Sequence, residues 1–330
     1  MSIKGKNMEV PDTSESWKTK INTVAIGATQ DEGGTRAGVV RVGGAGCIPG
    51  AAYEGDAGER PVVAVEVWDV APDNWPAELT RHYGDALNDP GAWAQKGIEM
   101  GADLVCLKLT GTHPDAADRS AEEAATTVKA VLKAVDVPLI VWGCGVPEKD
   151  NKVLPACASA ASGENCLLGS ITEKNYRTLV AACLADGHKL ISESPLDINI
   201  AKQVNILAQD SGFDLKDIVI FPTTGALGYG LEYVYSIMER GRIAGLSGDQ
   251  LLQQPVISDV GAEAWRAKEA RASDDDVPGL GPAERRGPLW EGITATNLLQ
   301  AGGDIFIMRH PEAMKMFKEA VDEFMGVGSV

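Results

Sequence analysis

Residues 217–240 read DIVIFPTTGALGYGLEYVYSIMER, and the join in the middle of this stretch sets the fold. A short apolar run, Ile218 to Phe221, meets Pro222, Thr223 and Thr224, and glycines follow at 225, 228 and 230. Beyond them, Leu231, Val234 and Met238 fall on one helical stripe. The unit is strand, turn, helix, and a run apolar on both faces suits a parallel sheet covered by helices. Two explanations of the small residues stay open. Tight turns use Gly and Pro for steric reasons. Alternatively, the glycines hold side chains back so that something large can rest on the backbone.

The same unit recurs along the chain. Strand-like runs fall at VVAVEVW (62–68), DLVCLKL (103–109), VPLIVWG (137–143), NCLLGS (165–170), KLISE (189–193), DIVIFP (217–222), PVISDV (255–260) and DIFIM (304–308). Ser120 and Glu123 form a capping-box pattern ahead of Val128, Val131, Leu132 and Val135, and Ala313, Phe317, Ala320 and Phe324 make another stripe. Eight strands alternating with helices predict an α/β chain, a (β/α)8 TIM barrel over residues 61–330, with a doubly wound sheet as the second choice. Ahead of it, NTVAIGA (22–28) and GVVRVGG (38–44) predict a β-hairpin extension within 21–60, covering the amino-terminal mouth of the barrel. The polar residues 1–20 lack the apolar core of a signal peptide and read as a mobile or loosely attached arm.

A parity argument adds one feature. Two helical segments, 261–270 and 288–302, separate strands seven and eight. If both crossed the barrel wall, strand eight would begin at the wrong end. The longer one is therefore the wall helix, and 261–287 is an insertion on the carboxyl-terminal face, where insertions serve as lids or docking surfaces.

Composition excludes several classes. A net charge of −17 over 330 residues argues against a nucleic-acid groove, which needs Lys and Arg along one face. No apolar run reaches the roughly 18 residues of a membrane span. The six cysteines (47, 106, 144, 157, 166 and 183) contain no C-x-x-C pair, so no zinc or iron–sulfur cradle is visible. Buried, reduced thiols predict a cytoplasmic protein.

In this fold, sites form where strands end and helices begin. Those joins hold Glu66, Trp68 and Asp69; Lys108, Thr110 and Gly111; Trp142, Gly143 and Gly145; Gly169 and Ser170. They continue with Ser192, Glu193 and Ser194; Thr223, Thr224 and Gly225; Ser258 and Asp259; Arg309 and His310. Hydroxyls, glycines and backbone dominate, as in a surface that accepts a ligand by shape, whereas a hydrolase or lyase mouth is denser in acids and bases. Lys108 could form a Schiff base if desolvated, although no acid–base partner lies near it in sequence. Glu66, Asp69 and Asp259 could bind a metal or a pterin-like ring, or Glu66 could simply pair with Lys108 inside the barrel. His82, His113, His188 and His310 show no H-x-x-x-H spacing, so no metal ligand is assigned.

FPTTGALGYGLEYVYSIMER, VAIGATQDEGGTRAGVVRVGG and LKLTGTHPDAADRS resemble the small subunit of the corrinoid iron–sulfur protein, the family of the acetyl-CoA synthase/decarbonylase delta subunits. The resemblance runs from about residue 20 to the end. It implies a TIM barrel paired with a large subunit that carries a [4Fe–4S] cluster and a corrinoid domain, the corrinoid lying between that domain and the barrel mouth. It implies a methyl group passing from methyltetrahydrofolate, through a separate methyltransferase, to cobalt and then to acetyl-CoA synthase. The candidate corrinoid neighbours are then Thr110, Gly111, Trp142, Gly143, Ser170, Ser192, Thr223, Thr224, Gly225 and Asp259, with no catalytic residue. On this reading Gly225→Trp obstructs the macrocycle while the barrel survives.

Asp186, Gly187 and His188 begin like the D-x-H-x-x-G signature of a cobalt ligand. Ile191 replaces the required glycine, so DGHKL reads as a helix-ending turn. Two other functions remain beside the methyl carrier: an independent pterin-binding TIM-barrel methyltransferase, and a Schiff-base lyase using Lys108.

Overall fold

The computed structural model describes residues 12–326. An antiparallel hairpin, β1 (Thr23–Ile26) with β2 (Val40–Gly43), precedes eight parallel strands. These are β3 (Val62–Trp68), β4 (Leu104–Lys108), β5 (Leu139–Trp142), β6 (Leu167–Ile171), β7 (Lys189–Glu193), β8 (Ile218–Phe221), β9 (Ile257–Ser258) and β10 (Ile305–Met308). Their order is β8-β7-β6-β5-β4-β3-β10-β9, and a parallel Ile220–Val256 bridge closes the last seam. The barrel is complete. Strand β9 is only two residues long, shorter than its apolar run: Pro255 has no N–H to give to a ladder, the Val256 N–H goes to Asp304 Oδ2, and a helix begins at Val260.

The helices are α1 (Ala77–Tyr83), α2 (Pro90–Glu99), α3 (Ala121–Ala134), α4 (Pro147–Ala160), α5 (Tyr176–Asp186) and α6 (Ile198–Asp210). After them come α7 (Leu231–Leu246), α8 (Val260–Ala264), α9 (Lys268–Arg271), α10 (Ala283–Gln300) and α11 (Pro311–Phe324). The Ser120–Glu123 capping box opens α3 as its sequence pattern requires.

Strand alternation divides the core in two. Val63, Val65, Val67, Val105, Leu107, Val141, Phe306 and Met308 face the helices. Val62, Ala64, Leu104, Cys106, Ile140, Leu167, Ile191, Val219, Ile257, Ile305 and Ile307 fill the barrel, together with Val24, Ile26 and Val42 of the hairpin. The hairpin is thus a plug in the amino-terminal end, and its apolar face completes a barrel interior that would otherwise meet water. Arg36 clamps it there. Its buried guanidinium donates to the carbonyls of Leu132, Val135 and Val137 at the end of α3, and to Glu164 at 2.8 Å. Carbonyls of a last helical turn lack partners of their own, which is why a long cation fits here.

Two expectations are corrected. Residues 17–20 are not a loose arm: Trp17 Nε1 donates to Glu54 at 3.0 Å and Thr19 Oγ1 to the Gly245 carbonyl at 2.6 Å. Most of the remaining arm, residues 1–11, lies outside the described residues. The wall helix α10 begins at Ala283, five residues before the expected start, and runs through Pro288. Buried Arg286 explains the extra turn, since it donates to the carbonyls of Gly281 and Ala272 and ties the helix start to the insertion. The insertion holds α8, α9 and a 3-10 turn at Pro278–Leu280.

Candidate functional site at the barrel mouth

At the carboxyl end of the barrel, each half of the strand ring has its own chemistry. Four adjacent strands, β4-β3-β10-β9, supply Lys108, Glu66, Arg309 and Asp259: Lys108 at its strand's end, Glu66 two residues before it, and the other two just beyond. Arg309 meets Glu66 in a two-pronged pair, Nη2–Oε1 at 2.7 Å and Nε–Oε2 at 3.0 Å. Lys108 Nζ lies 3.2 Å from Glu66 Oε2 and 2.6 Å from Asp259 Oδ2. Trp68 Nε1 donates to Glu66 as well, and the Arg309 guanidinium lies over Trp75 at 4.7 Å.

The charges hold one another. Burial alone would raise the Glu66 carboxyl, but Arg309 and Lys108 beside it bring it down to about 2. Burial works to lower Lys108, yet Asp259 and Glu66 keep it above its ordinary value. Lys108 is therefore an ammonium at neutral pH, which removes the free amine that a Schiff base needs. The expected Glu66–Lys108 pair is present, and Arg309 joins it. Arg309 was within reach of sequence reasoning, because it continues the inward phase of Ile305 and Ile307.

The other four strands, β5-β6-β7-β8, carry no ionic cluster of this kind. Trp142 and Phe221 meet edge to face at 4.9 Å, and Ser170 donates to Glu193. Thr224 Oγ1 accepts the Asp259 N–H at 2.8 Å, and this contact spans the seam between the halves. Two buried carboxylate oxygens stay unmatched: Asp259 Oδ1 near the mouth and Asp69 Oδ2 beside it.

Other candidates divide by what they touch. Gly111 N donates to Asp69 Oδ1 at 2.7 Å, with Thr110 Oγ1 farther off at 3.4 Å. Gly143 makes room for Asp150, which would lie 2.5 Å from an added Cβ and accepts the N–H groups of Cys144 and Gly145. Alternation turns Ser192 toward the helix layer, where its buried hydroxyl has no partner. Thr223, half-buried, has φ +72°, a left-handed conformation costly for a β-branched residue.

Gly225 has a local explanation. A Cβ there would sit 2.7 Å from the Gly230 carbonyl oxygen. The expectation that Gly225→Trp spares the fold therefore fails, since the side chain would strike the returning 225–230 backbone before reaching the mouth. Even Gly225→Ala is expected to cost roughly 1–3 kcal/mol, read as a lowered urea midpoint. An unchanged midpoint would restore ligand clearance as the reason for this glycine.

His188 is structural. Gly187 ends α5 in the left-handed conformation, His188 Nδ1 accepts the Cys166 N–H at 3.1 Å, and Nε2 meets the Ala158 carbonyl at 2.9 Å. This ring precedes β7, at the end of the barrel away from the mouth. Among the described residues, no group of three or more His, Cys, Asp or Glu side chains is placed to hold a metal ion. Nor is any described helix long and apolar enough to cross a membrane.

A closed ring of eight parallel strands with a polar carboxyl-terminal mouth defines a TIM barrel, and solved structures share it. Xanthomonas albilineans dihydropteroate synthase with 4-aminobenzoic acid aligns with a TM-score of 0.54 at 16% identity, covering 82% of this chain and 94% of that one. The same enzyme in complex with 7,8-dihydropteroate gives 0.52 over the same shares. The chain belongs to the CO dehydrogenase/acetyl-CoA synthase delta subunit family, whose model matches residues 23–321. It is 38% identical to acetyl-CoA decarbonylase/synthase complex subunit delta 1 of Methanosarcina thermophila, over 94% of this chain and 72% of that protein. Against subunit delta of Archaeoglobus fulgidus the identity is 40%, over 94% and 70%.

Proposed function

We propose that this chain is the corrinoid-holding small subunit of a two-subunit methyl carrier in the acetyl-CoA pathway, working in the cytoplasm. Its partners on this reading are a large subunit bearing the [4Fe–4S] cluster, a methyltetrahydrofolate methyltransferase and acetyl-CoA synthase. The observation that carries the proposal is the mutual pairing of the mouth's charges. Glu66 is committed to Arg309 and Lys108, and Lys108 to Asp259 as well, which leaves few groups free to act as acid, base or nucleophile.

The mouth suits an amide-fringed macrocycle. Asp259 Oδ1 is a buried acceptor without a donor, so it reaches an amide N–H at the ring's edge only if its side chain turns outward. The edge-to-face Trp142–Phe221 pair offers an apolar floor, and half-buried Thr223 a hydroxyl at the rim. When bound, the corrinoid supplies the cobalt that carries the methyl group. The chain's part is to orient the ring and keep water from one side of it.

Turned outward, the unmatched Asp259 oxygen would equally suit the N–H groups of a pterin, so an independent pterin-binding methyltransferase is the second reading. One experiment separates them: purification with and without a co-expressed large subunit, followed by a visible spectrum, a cobalt assay and a folate-binding titration. Stoichiometric cobalt is expected in the pair and little in the chain alone, since one mouth covers only one part of so large a ligand. Stoichiometric cobalt in the chain alone would overturn the two-subunit arrangement. Tight folate binding without cobalt would favour the pterin reading.

A further inference from the structure

Glu193 ends β7 and faces the mouth. It shares the inward phase of Ile191, which lies in the barrel core, and pairs in register with Phe221, which packs against that same core. Its side chain is half-buried, whereas Glu66 across the mouth is fully enclosed. Since Phe221 meets Trp142 edge to face, Glu193 puts a carboxylate at the edge of an aromatic floor.

This carboxylate has few partners. Among the described residues only the Ser170 hydroxyl donates to it, and only to Oε2. The cations of the mouth are engaged elsewhere, Arg309 with Glu66 and Lys108 with Glu66 and Asp259. Oε1 is left without a donor from those residues, on a side chain that solvent reaches. Asp259 has to turn to offer its free oxygen, but Glu193 needs no rearrangement. A ligand lying on the Trp142–Phe221 floor takes water away from Oε1, and a carboxylate deprived of water is costly unless another donor replaces it. The ligand must therefore bring that donor.

We infer that Glu193 is a specificity-determining residue of the mouth: through Oε1 it accepts an amide N–H from the rim of the ligand, and it rejects a rim carboxylate. The inference rests on the corrinoid reading and names which edge group of the macrocycle the barrel selects. An amide supplies the donor that replaces water. A carboxylate at the same place brings no donor and repels Glu193.

The test uses the pair co-expressed with the large subunit, emptied of cobalt and titrated with hydroxocobalamin or with each of its monocarboxylic acids, in which one rim amide is hydrolysed. Binding is read from the visible spectrum and a cobalt assay. In the wild type, at least one acid is expected to bind about tenfold more weakly than the amide form, or worse. Glu193→Gln keeps the shape of the side chain without its charge, and should bring that ratio to within about twofold of unity. A role confined to holding Ser170 would move the urea midpoint and leave the ratio unchanged. Two results overturn the inference with the corrinoid reading intact: wild type that binds every acid as well as the amide form, or Glu193→Gln that keeps the wild-type ratio. If the wild-type pair binds no corrinoid, the reading and the inference fall together.

Discussion

Glu66→Ala is expected to destabilise the barrel by about 3–5 kcal/mol, the usual result of removing one partner from a buried ion pair. The substitution leaves Arg309 without its carboxylate partner and Lys108 with Asp259 alone, in a region where Glu66 itself is fully buried. Urea unfolding followed by circular dichroism at pH 7 measures the loss. Replacing Glu66 and Arg309 together by leucine should recover much of it, since no uncompensated charge then remains between those two positions. A loss below about 1 kcal/mol for the alanine variant would mean that the pair is solvated like a surface bridge.

The same residue carries a pH dependence of known sign. Its folded pKa, about 2, lies below the ordinary 4.5, so its contribution is present above pH 4.5 and is lost as pH falls toward 2. The wild-type chain should therefore lose stability faster than Glu66→Gln across that window.

Glu291→Gln should behave oppositely. Glu291 lies beneath the insertion and accepts the Trp265 indole N–H at 2.6 Å, the Arg309 N–H at 2.6 Å and the His310 N–H at 3.2 Å. Burial pushes its carboxyl up to about 7 against those donors. A folded pKa above the unfolded one means that stabilisation is full below pH 4.5 and disappears as pH rises through 7. His310, pushed down to about 3 by burial, has the reverse trend below pH 6.5 and masks this in the wild-type curve.

The difference between wild type and Glu291→Gln isolates the effect. It should grow by about 3 kcal/mol as pH is lowered from 8 to 4.5. Superimposed on it, the amide NH2 faces N–H donors and costs about 1–3 kcal/mol at every pH. Urea midpoints at several pH values test both parts. A difference that stays constant with pH would show that the three donors keep Glu291 ionised, and would remove the titration.

Much of the architecture was legible before any coordinates. Eight apolar runs, the 22–44 hairpin, the capping box at Ser120 and the turn at Gly187 and His188 all rest on near-neighbour geometry, which a linear pattern records directly. The same pattern contained the phase of the strands. Extended consistently, it puts Arg309 inside with Ile305 and Ile307, and Ser192 outside with Leu190. Reading the joins as a pool of mouth residues missed that distinction.

What the sequence by itself determined is therefore local: strand and helix periods, the order of the elements, the absence of a cysteine pair, and membership in the delta-subunit family through its long motifs. The tertiary structure decided which groups meet. Glu66 and Arg309 are 243 residues apart and become neighbours only because β10 pairs with β3 when the ring closes. Gly225 answers to the Gly230 carbonyl, and α10 starts at Ala283 because buried Arg286 binds the insertion. Through-space electrostatics and close backbone approach depend on distances that chain order does not contain, and closure of the barrel is what sets them.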